Sequence, residues 1–301
     1  MLSHGRTIYT PSYARPPLAP FPGGARLALH VIVNVEVWEY ERPMPRTALP
    51  PPGGGASLPD VANFAWYQYG QRVGIWRLLE TLAKYGVRAT LSVNSAVCRE
   101  YPQIVERTFA AGWDMMPHGV VQRTMATVDD EAAVVREALD EVQRATGTRP
   151  RGWLGPALVE TPRTLDVLVN AGVEYCCDWG PADDLPYDLA VDGGRMVAVP
   201  YPIELNDIVV FAIERHPAAE LEARALAALE TLHAESAASP RVLALALHPY
   251  LTGTPHRIGV LDRILHAATT RYGACALTGS DLLDWYVAQI PAPASAAGRR
   301  A

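Results

Sequence analysis

The chain has 301 residues, of which 49% are hydrophobic and 19% charged, with a formal net charge of −6. That is a globular composition, with enough chain for a core that needs no disulfide or metal staple. It excludes a basic nucleic-acid footprint, a polybasic tail and a membrane-spanning segment. Residues 1–25 carry Pro11, Pro16, Pro17, Pro20 and Pro22 and read as an extended arm that is ordered only where it packs on something. No apolar segment of the secretory type precedes residue 27. Residues 27–35 are apolar and β-branched, the first buried strand. Residues 42–60 form a Pro/Gly-rich loop containing Pro50-Pro51-Pro52-Gly53-Gly54-Gly55.

Helix and strand patterns then alternate. A helix is expected over 70–85, with Val73, Trp76, Leu79, Leu82 and Ala83 on one face. A strand follows at 89–93, a helix at 101–111 and a short strand at 114–116. An amphipathic helix over 129–146 takes Thr127 as its N-cap, with Asp130 three residues on. Strands at 151–154, 175–179 and 196–200 flank a helix at 162–171 that Gly172 closes. A long helix at 218–238 leads to the strand at 243–247, then come a helix at 256–272, a strand at 274–277 and a last helix at 280–289. Repeated β-α units imply a parallel sheet, and seven or eight in about 250 residues imply a closed or nearly closed barrel. With no internal repeat and no linker, one barrel domain is expected over 26–290, flanked by the arm at 1–25 and a flexible tail at 291–301.

On a barrel, residues just after the strands share one mouth. Asn34 and Glu36 follow the first strand, alternating onto one side. His118 follows the strand at 114–116, Trp153 precedes Gly155-Pro156, and Asp183-Asp184 follow the strand at 175–179. Tyr201, Glu204, Asn206 and Asp207 follow the strand at 196–200, and the apolar run 244–247 delivers His248. Each has a structural alternative: an arginine partner for Glu36, a turn for His118, an Asx-turn for one of the two aspartates, and loop anchoring for Glu204 and Asn206. Arg72 and Arg77 suit planar amides or carboxylates, or are simply solvated. The four cysteines, Cys98, Cys176, Cys177 and Cys275, have neither zinc-site nor disulfide-framework spacing. They read as reduced thiols in a cytoplasmic protein.

This pattern resembles the polysaccharide deacetylase (NodB-homology) superfamily, and within it the allantoinase-like branch. The stretches that carry the resemblance are Tyr69-Gly70-Gln71-Arg72-Val73-Gly74-Ile75-Trp76-Arg77, Gly152-Trp153-Leu154, Asp178-Trp179 with Asp183-Asp184-Leu185-Pro186-Tyr187, Pro200 through Asp207, and His248 through Gly253 with Arg257-Ile258. The resemblance implies a deformed (β/α)7-type barrel. Where metal-dependent members place two aspartates, this chain has Asn34 and Glu36; where they place two histidines four residues apart, it has His118 and Gln122. Asparagine cannot act as a general base, and Glu36, His118 and Gln122 are a poor zinc set. The allantoinase-like branch shows a similar loss and is described as working without metal.

The expected activity is therefore hydrolysis of a non-peptide carbon–nitrogen bond, in an amide or cyclic ureide of a small molecule, without a cofactor. Glu36 is the expected base, with His248 and His118 dividing the roles of acid and oxyanion donor. Asn34, Arg72, Trp153, Asp184, Glu204 and Asn206 are the expected substrate-binding residues, Trp153 and Arg72 holding a flat ring. The alternatives are an N-deacetylase of an acetylated sugar, with a divalent metal held weakly by Glu36 and His118, and a catalytically silent ligand-binding barrel. A homo-oligomer is expected, without nucleic-acid or membrane partners.

Overall fold

A computed structural model describes residues 5–50 and 58–292. Most of the expected tail, residues 293–301, and the centre of the Pro/Gly-rich loop, residues 51–57, lie outside the described residues. Strand β1 (Leu27–Val35) is buried along its whole length and anchors the fold. Its odd-numbered residues, Leu27 to Val35, pack under helices, while Ala28 and Ile32 point into the barrel. A strand covered on both faces reads as a continuous apolar run, and each buried Leu, Ile or Val contributes about 1.5–3 kcal/mol of transfer free energy. His30 and Asn34 share the inward side and are the polar exceptions.

Helices α1 (Val61–Tyr69) and α2 (Ile75–Lys84) follow, joined by a wide helical turn at Gly70–Gly74. The helix expected at 70–85 thus begins earlier, at Asp60, whose side chain accepts from Asn63 N. Strand β2 (Thr90–Val93), short helix α3 (Val97–Glu100), helix α4 (Pro102–Ala110) and strand β3 (Asp114–Pro117) come next. Helix α5 (Glu131–Thr146) is capped by Asp130 rather than by Thr127, because Asp130 bonds Ala133 N and Thr127 instead donates back to Thr124 O. Gly147 closes it at φ 74°.

The second half contains β4 (Gly152–Trp153), α6 (Thr164–Asn170), β5 (Tyr175–Cys176), β6 (Tyr187–Leu189) and β7 (Met196–Ala198). It continues with α7 (Ala218–Glu235), β8 (Arg241–Leu247), α8 (Ile258–His266), β9 (Cys275–Ala276) and α9 (Gly279–Val287). The antiparallel strand β6 and a helical turn at Ile208–Ile213 were not anticipated from the sequence. β6 is three residues long beside prolines, too short for a periodic signal.

The strands form two sheets, ordered β3-β2-β1-β8 and β4-β5-β7-β6, with β9 pairing with the first half of β1. All pairings are parallel except β6 with β7. One seam is drawn together where Leu154 N donates to Pro117 O at 3.1 Å. The other seam, between β8 and the edge of the second sheet, holds scattered bonds, Ala246 N to Leu205 O after β7 and Val242 N to Asp184 O before β6. The result is the expected α/β architecture of the deformed-barrel type, opened along one side. The N-terminal arm lies beside this seam: Arg6 pairs with Asp166, Arg15 with Asp183, and Phe21 packs on Trp285.

Candidate active site

The first-strand end fixes the centre of the site. Beyond Val35 the backbone is held by Asn94, which donates its N–H to Val35 O and accepts Val37 N on its side chain at 2.8 Å. The Asn94 side chain also donates to His118 O, so one residue sets both Glu36 and His118. Glu36 is buried, and its Oε2 accepts the indole N–H of Trp38 at 2.6 Å. Its other oxygen, Oε1, lies 3.6 Å from His248 Nε2. Trp38 in turn stacks on Tyr67, ring centroids 4.7 Å apart, and meets Trp66 and Tyr250 edge-on. This aromatic wall keeps water from one side of the carboxylate.

β8 delivers His248, and Asp207 holds it. Asp207 is fully buried and accepts three bonds: His248 Nδ1 at 2.7 Å, His248 N at 2.8 Å and Thr252 Oγ1 at 2.6 Å. Nδ1–H is thereby committed to Asp207, and Nε2 is left to face Glu36. Burial alone lowers the His248 pKa, but the charges and hydrogen bonds of Asp207 and Glu36 outweigh it and push it up to about 9. His248 is an imidazolium at neutral pH. Burial alone would raise the Glu36 carboxyl, yet His248 pulls it below its ordinary value. His118 behaves oppositely: burial lowers its pKa, more than Glu36 raises it. Its Nδ1 donates to Leu154 O at 2.7 Å, so a neutral ring presents a free Nε2 lone pair.

The two most specific stretches of the chain meet here. The turn Gly70–Gly74 lies against the loop after β8, and a Cβ on Gly74 would stand 2.0 Å from Pro249 O. Only glycine permits that approach. The contact aims Gln71, whose Nε2 donates to Glu36 O at 2.9 Å. Asn34 and Asn206 both donate to Tyr201 Oη at 3.3 Å, and Asn34 also donates to Leu247 O. Four buried polar atoms on this constellation have no hydrogen-bond partner: Asn34 Oδ1, Gln71 Oε1, Gln122 Oε1 and the Tyr250 hydroxyl.

Of the residues expected from sequence, Glu36, His118, His248, Asn34 and Asn206 come together. The others do not join them. Trp153 is fully buried among Leu139, Leu165 and Leu168 under α5 and α6, because its neighbour Leu154 takes the inward position. It cannot stack on a ligand in the mouth. Arg72 is exposed, since Gly70, Gln71 and Gly74 occupy the inner sides of their turn. Arg77 is spent on Gly253 O and Tyr69 Oη. Asp184 and Glu204 are exposed and line a cavity at the open seam instead. Trp38, Gln71, Asn94, Tyr201, Asp207 and Thr252 complete the site. Among these, Tyr201 and Asp207 stand in the strand-end series, and only the pairing with His248 across 41 residues picks out Asp207.

A metal fits this centre poorly. Glu36 offers one oxygen already bonded to an indole and another turned to an imidazolium, His118 offers one nitrogen, and Asn34 and Gln122 offer only neutral amides. Catalytic zinc requires three strong ligands. Among the described residues, the group with metal-ligand spacing is Glu160, Cys176 and Asp178, at the ends of different strands from this site.

Residues 66–176 match the family model of the polysaccharide deacetylases. That match spans 111 of the chain's 301 residues and takes in two of the stretches that carry the family resemblance, Tyr69 through Arg77 and Gly152-Trp153-Leu154. A curated Schizosaccharomyces pombe protein, named "Putative polysaccharide deacetylase", is 23% identical over 304 residues, covering 90% of this chain and 93% of that protein. Among solved structures, Puue allantoinase superposes with a TM-score of 0.82 at 25% identity, over 94% of this chain and 97% of that one. A probable polysaccharide deacetylase from Pseudomonas aeruginosa PAO1 gives a TM-score of 0.82 at 24% identity, over 94% and 98%.

Proposed function

We propose that the protein hydrolyses a non-peptide carbon–nitrogen bond in a small amide or cyclic ureide, using its own side chains and no resident metal. The observation that carries this reading is the buried pair of Glu36 and His248, carboxylate and imidazolium, 3.6 Å apart. In this reading Glu36 Oε1 takes a proton from water, whose oxygen attacks the carbonyl carbon. His248 Nε2 donates a proton to the departing nitrogen as the C–N bond breaks. The Glu36 proton then returns to His248, restoring both groups. The hydroxyl of Tyr201, which accepts from Asn34 and Asn206, keeps its own proton to donate to the developing oxyanion.

The orphaned polar atoms favour a ureide over an acetamido sugar. Three amide oxygens await donors, and each buried acceptor left unpaired costs about 1–3 kcal/mol. A cyclic ureide supplies several N–H groups in one plane. An acetamido sugar supplies one N–H, and its other donors are hydroxyls spread around a puckered ring. The similarity to Puue allantoinase supports the same choice. The four free thiols support a reducing, cytoplasmic setting, and among the described residues no helix is long and apolar enough to cross a membrane. The test is a turnover screen over cyclic ureides, imides and N-acetyl sugars. Hydrolysis of a ureide or imide is expected. Activity on N-acetyl sugars alone would shift the assignment to a deacetylase, and no activity on any, with ligand binding intact in E36Q, would leave a binding barrel.

A further inference from the structure

The open seam beside β8 encloses a cavity of about 1010 Å³. It is separate from the centre just described: neither Glu36, His118 nor His248 lines it. Tyr201 stands between the two, lining the cavity while its hydroxyl binds Asn34. The volume is at the upper end for small-molecule sites, about 300–1000 Å³. The N-terminal arm forms one wall, fixed by Arg6 on Asp166 and Arg15 on Asp183.

The lining has two characters. Its floor is apolar, with Leu18, Ala228, Leu232 and Val242 among its residues, and Tyr187 and Tyr286 add ring surface. Its charge is negative. Asp183, Asp184, Asp188 and Glu204 line it against a single arginine, Arg15. Asp183 is taken by Arg15 and Asp188 by Arg195. Asp184 and Glu204 make no ion pair among the described residues. Partial desolvation and the neighbouring Asp183 and Glu235 raise the Asp184 carboxyl, outweighing Arg241 and Arg15, which lower it.

We infer that this seam cavity is a second ligand site, and that it takes an organic cation, a primary amine or guanidinium on an apolar body. The cationic head would pair with Asp184 beside Val242, while Glu204, further along β8 near Ala246, adds to the negative lining. The body would cover the aliphatic lining and the rings of Tyr187 and Tyr286, the latter already beneath the Arg195 guanidinium. An anionic ligand of the same shape would meet two unpaired carboxylates and be rejected.

The test uses the full chain and three probes of one shape: 3-phenylpropylamine, 3-phenylpropanol and 3-phenylpropionate, titrated by calorimetry and ligand-observed NMR. The amine is expected to bind saturably, and the propionate not at all. In D184N/E204Q, checked for an unchanged melting temperature, amine affinity should fall about tenfold or more, the equivalent of one lost charge-assisted contact of about 1.4 kcal/mol. H248Q should bind the amine as the wild type does, which separates this site from the hydrolytic centre. Equal binding of amine and propionate, no saturable amine binding, or full affinity in D184N/E204Q would each overturn the inference.

Discussion

His248 and Asp207 are joined twice, through the ring Nδ1 at 2.7 Å and through the backbone N–H at 2.8 Å. The pair therefore fixes both the position and the charge of the imidazole. D207N keeps the size of the side chain but removes the anion. His248 should lose most of its raised pKa, and the protein about 1–3 kcal/mol of stability from mismatched buried donors. Titration of the His248 ring by NMR checks the first, and urea denaturation the second. A ring that still titrates near 9 in D207N would contradict the role given to Asp207.

The pH dependence of activity follows from the same geometry. Hydrolysis needs Glu36 ionised and His248 protonated. With Glu36 held below its ordinary value and His248 at about 9, kcat/KM should be flat through neutrality and fall on an alkaline limb near 9. Stability has a related sign. A histidine whose pKa is raised on folding stabilises fully below its unfolded value of about 6.5, and that contribution is lost as pH rises to 9. Chemical denaturation across pH 6–10 should show the decline, and H248Q should flatten it.

E36Q is isosteric and retains an oxygen for the Trp38 indole. It should lower turnover about 10²- to 10⁴-fold, the usual contribution of a general base, with ligand affinity little changed. A comparable loss in KM instead of kcat would make Glu36 a binding group.

Asp178 carries an opposite pH signature one peptide group away from His118, whose Nδ1 binds Leu154 O. Burial first, then the neighbouring Glu160, raises its carboxyl well above the ordinary range, while it accepts Gly155 N at 2.7 Å. A carboxyl raised on folding favours the folded state below its unfolded pKa and penalises it as pH rises. Asparagine keeps the bond to Gly155 and cannot ionise. D178N should therefore gain stability relative to wild type between pH 4 and pH 8, as read by thermal melting. A difference independent of pH would contradict this.

Gly74 makes the closest approach in the site's support. In G74A the new Cβ meets Pro249 O, and either the helical turn or the loop after β8 must move. Overpacking of this kind costs about 1–3 kcal/mol. Because the turn also aims Gln71 at Glu36 O, G74A should lose activity in addition to stability, whereas G86A, strained at its φ of 65° but with nothing within 4 Å of its Cβ, should lose stability and spare activity.

The sequence made much of this legible, for physical reasons that differ by residue. β1 was readable because a strand buried on both faces is continuously apolar, and Asn34, Glu36 and His248 stood out as polar groups ending such runs. What failed was direction and distance. Trp153 follows the strand parity outward, and a two-residue strand gives no alternation by which to see it. Arg72 sits in a wide turn that shifts the helical phase of every side chain around it. Asp184 and Glu204 belong to strand ends, but at the seam where the barrel opens, a feature of strand pairing alone. Asp207, Asn94 and Trp38 matter through hydrogen bonds to distant or adjacent groups, and no spacing announces those.

The central claim is that Glu36 and His248 hydrolyse a carbon–nitrogen bond without a metal. The most direct measurement is turnover of a cyclic ureide by wild type and E36Q, each stripped with chelator and verified metal-free by mass spectrometry. The account predicts that stripped wild type retains full activity, that added zinc does not raise it, and that E36Q loses it. Activity that vanishes on stripping and returns with zinc would contradict the account.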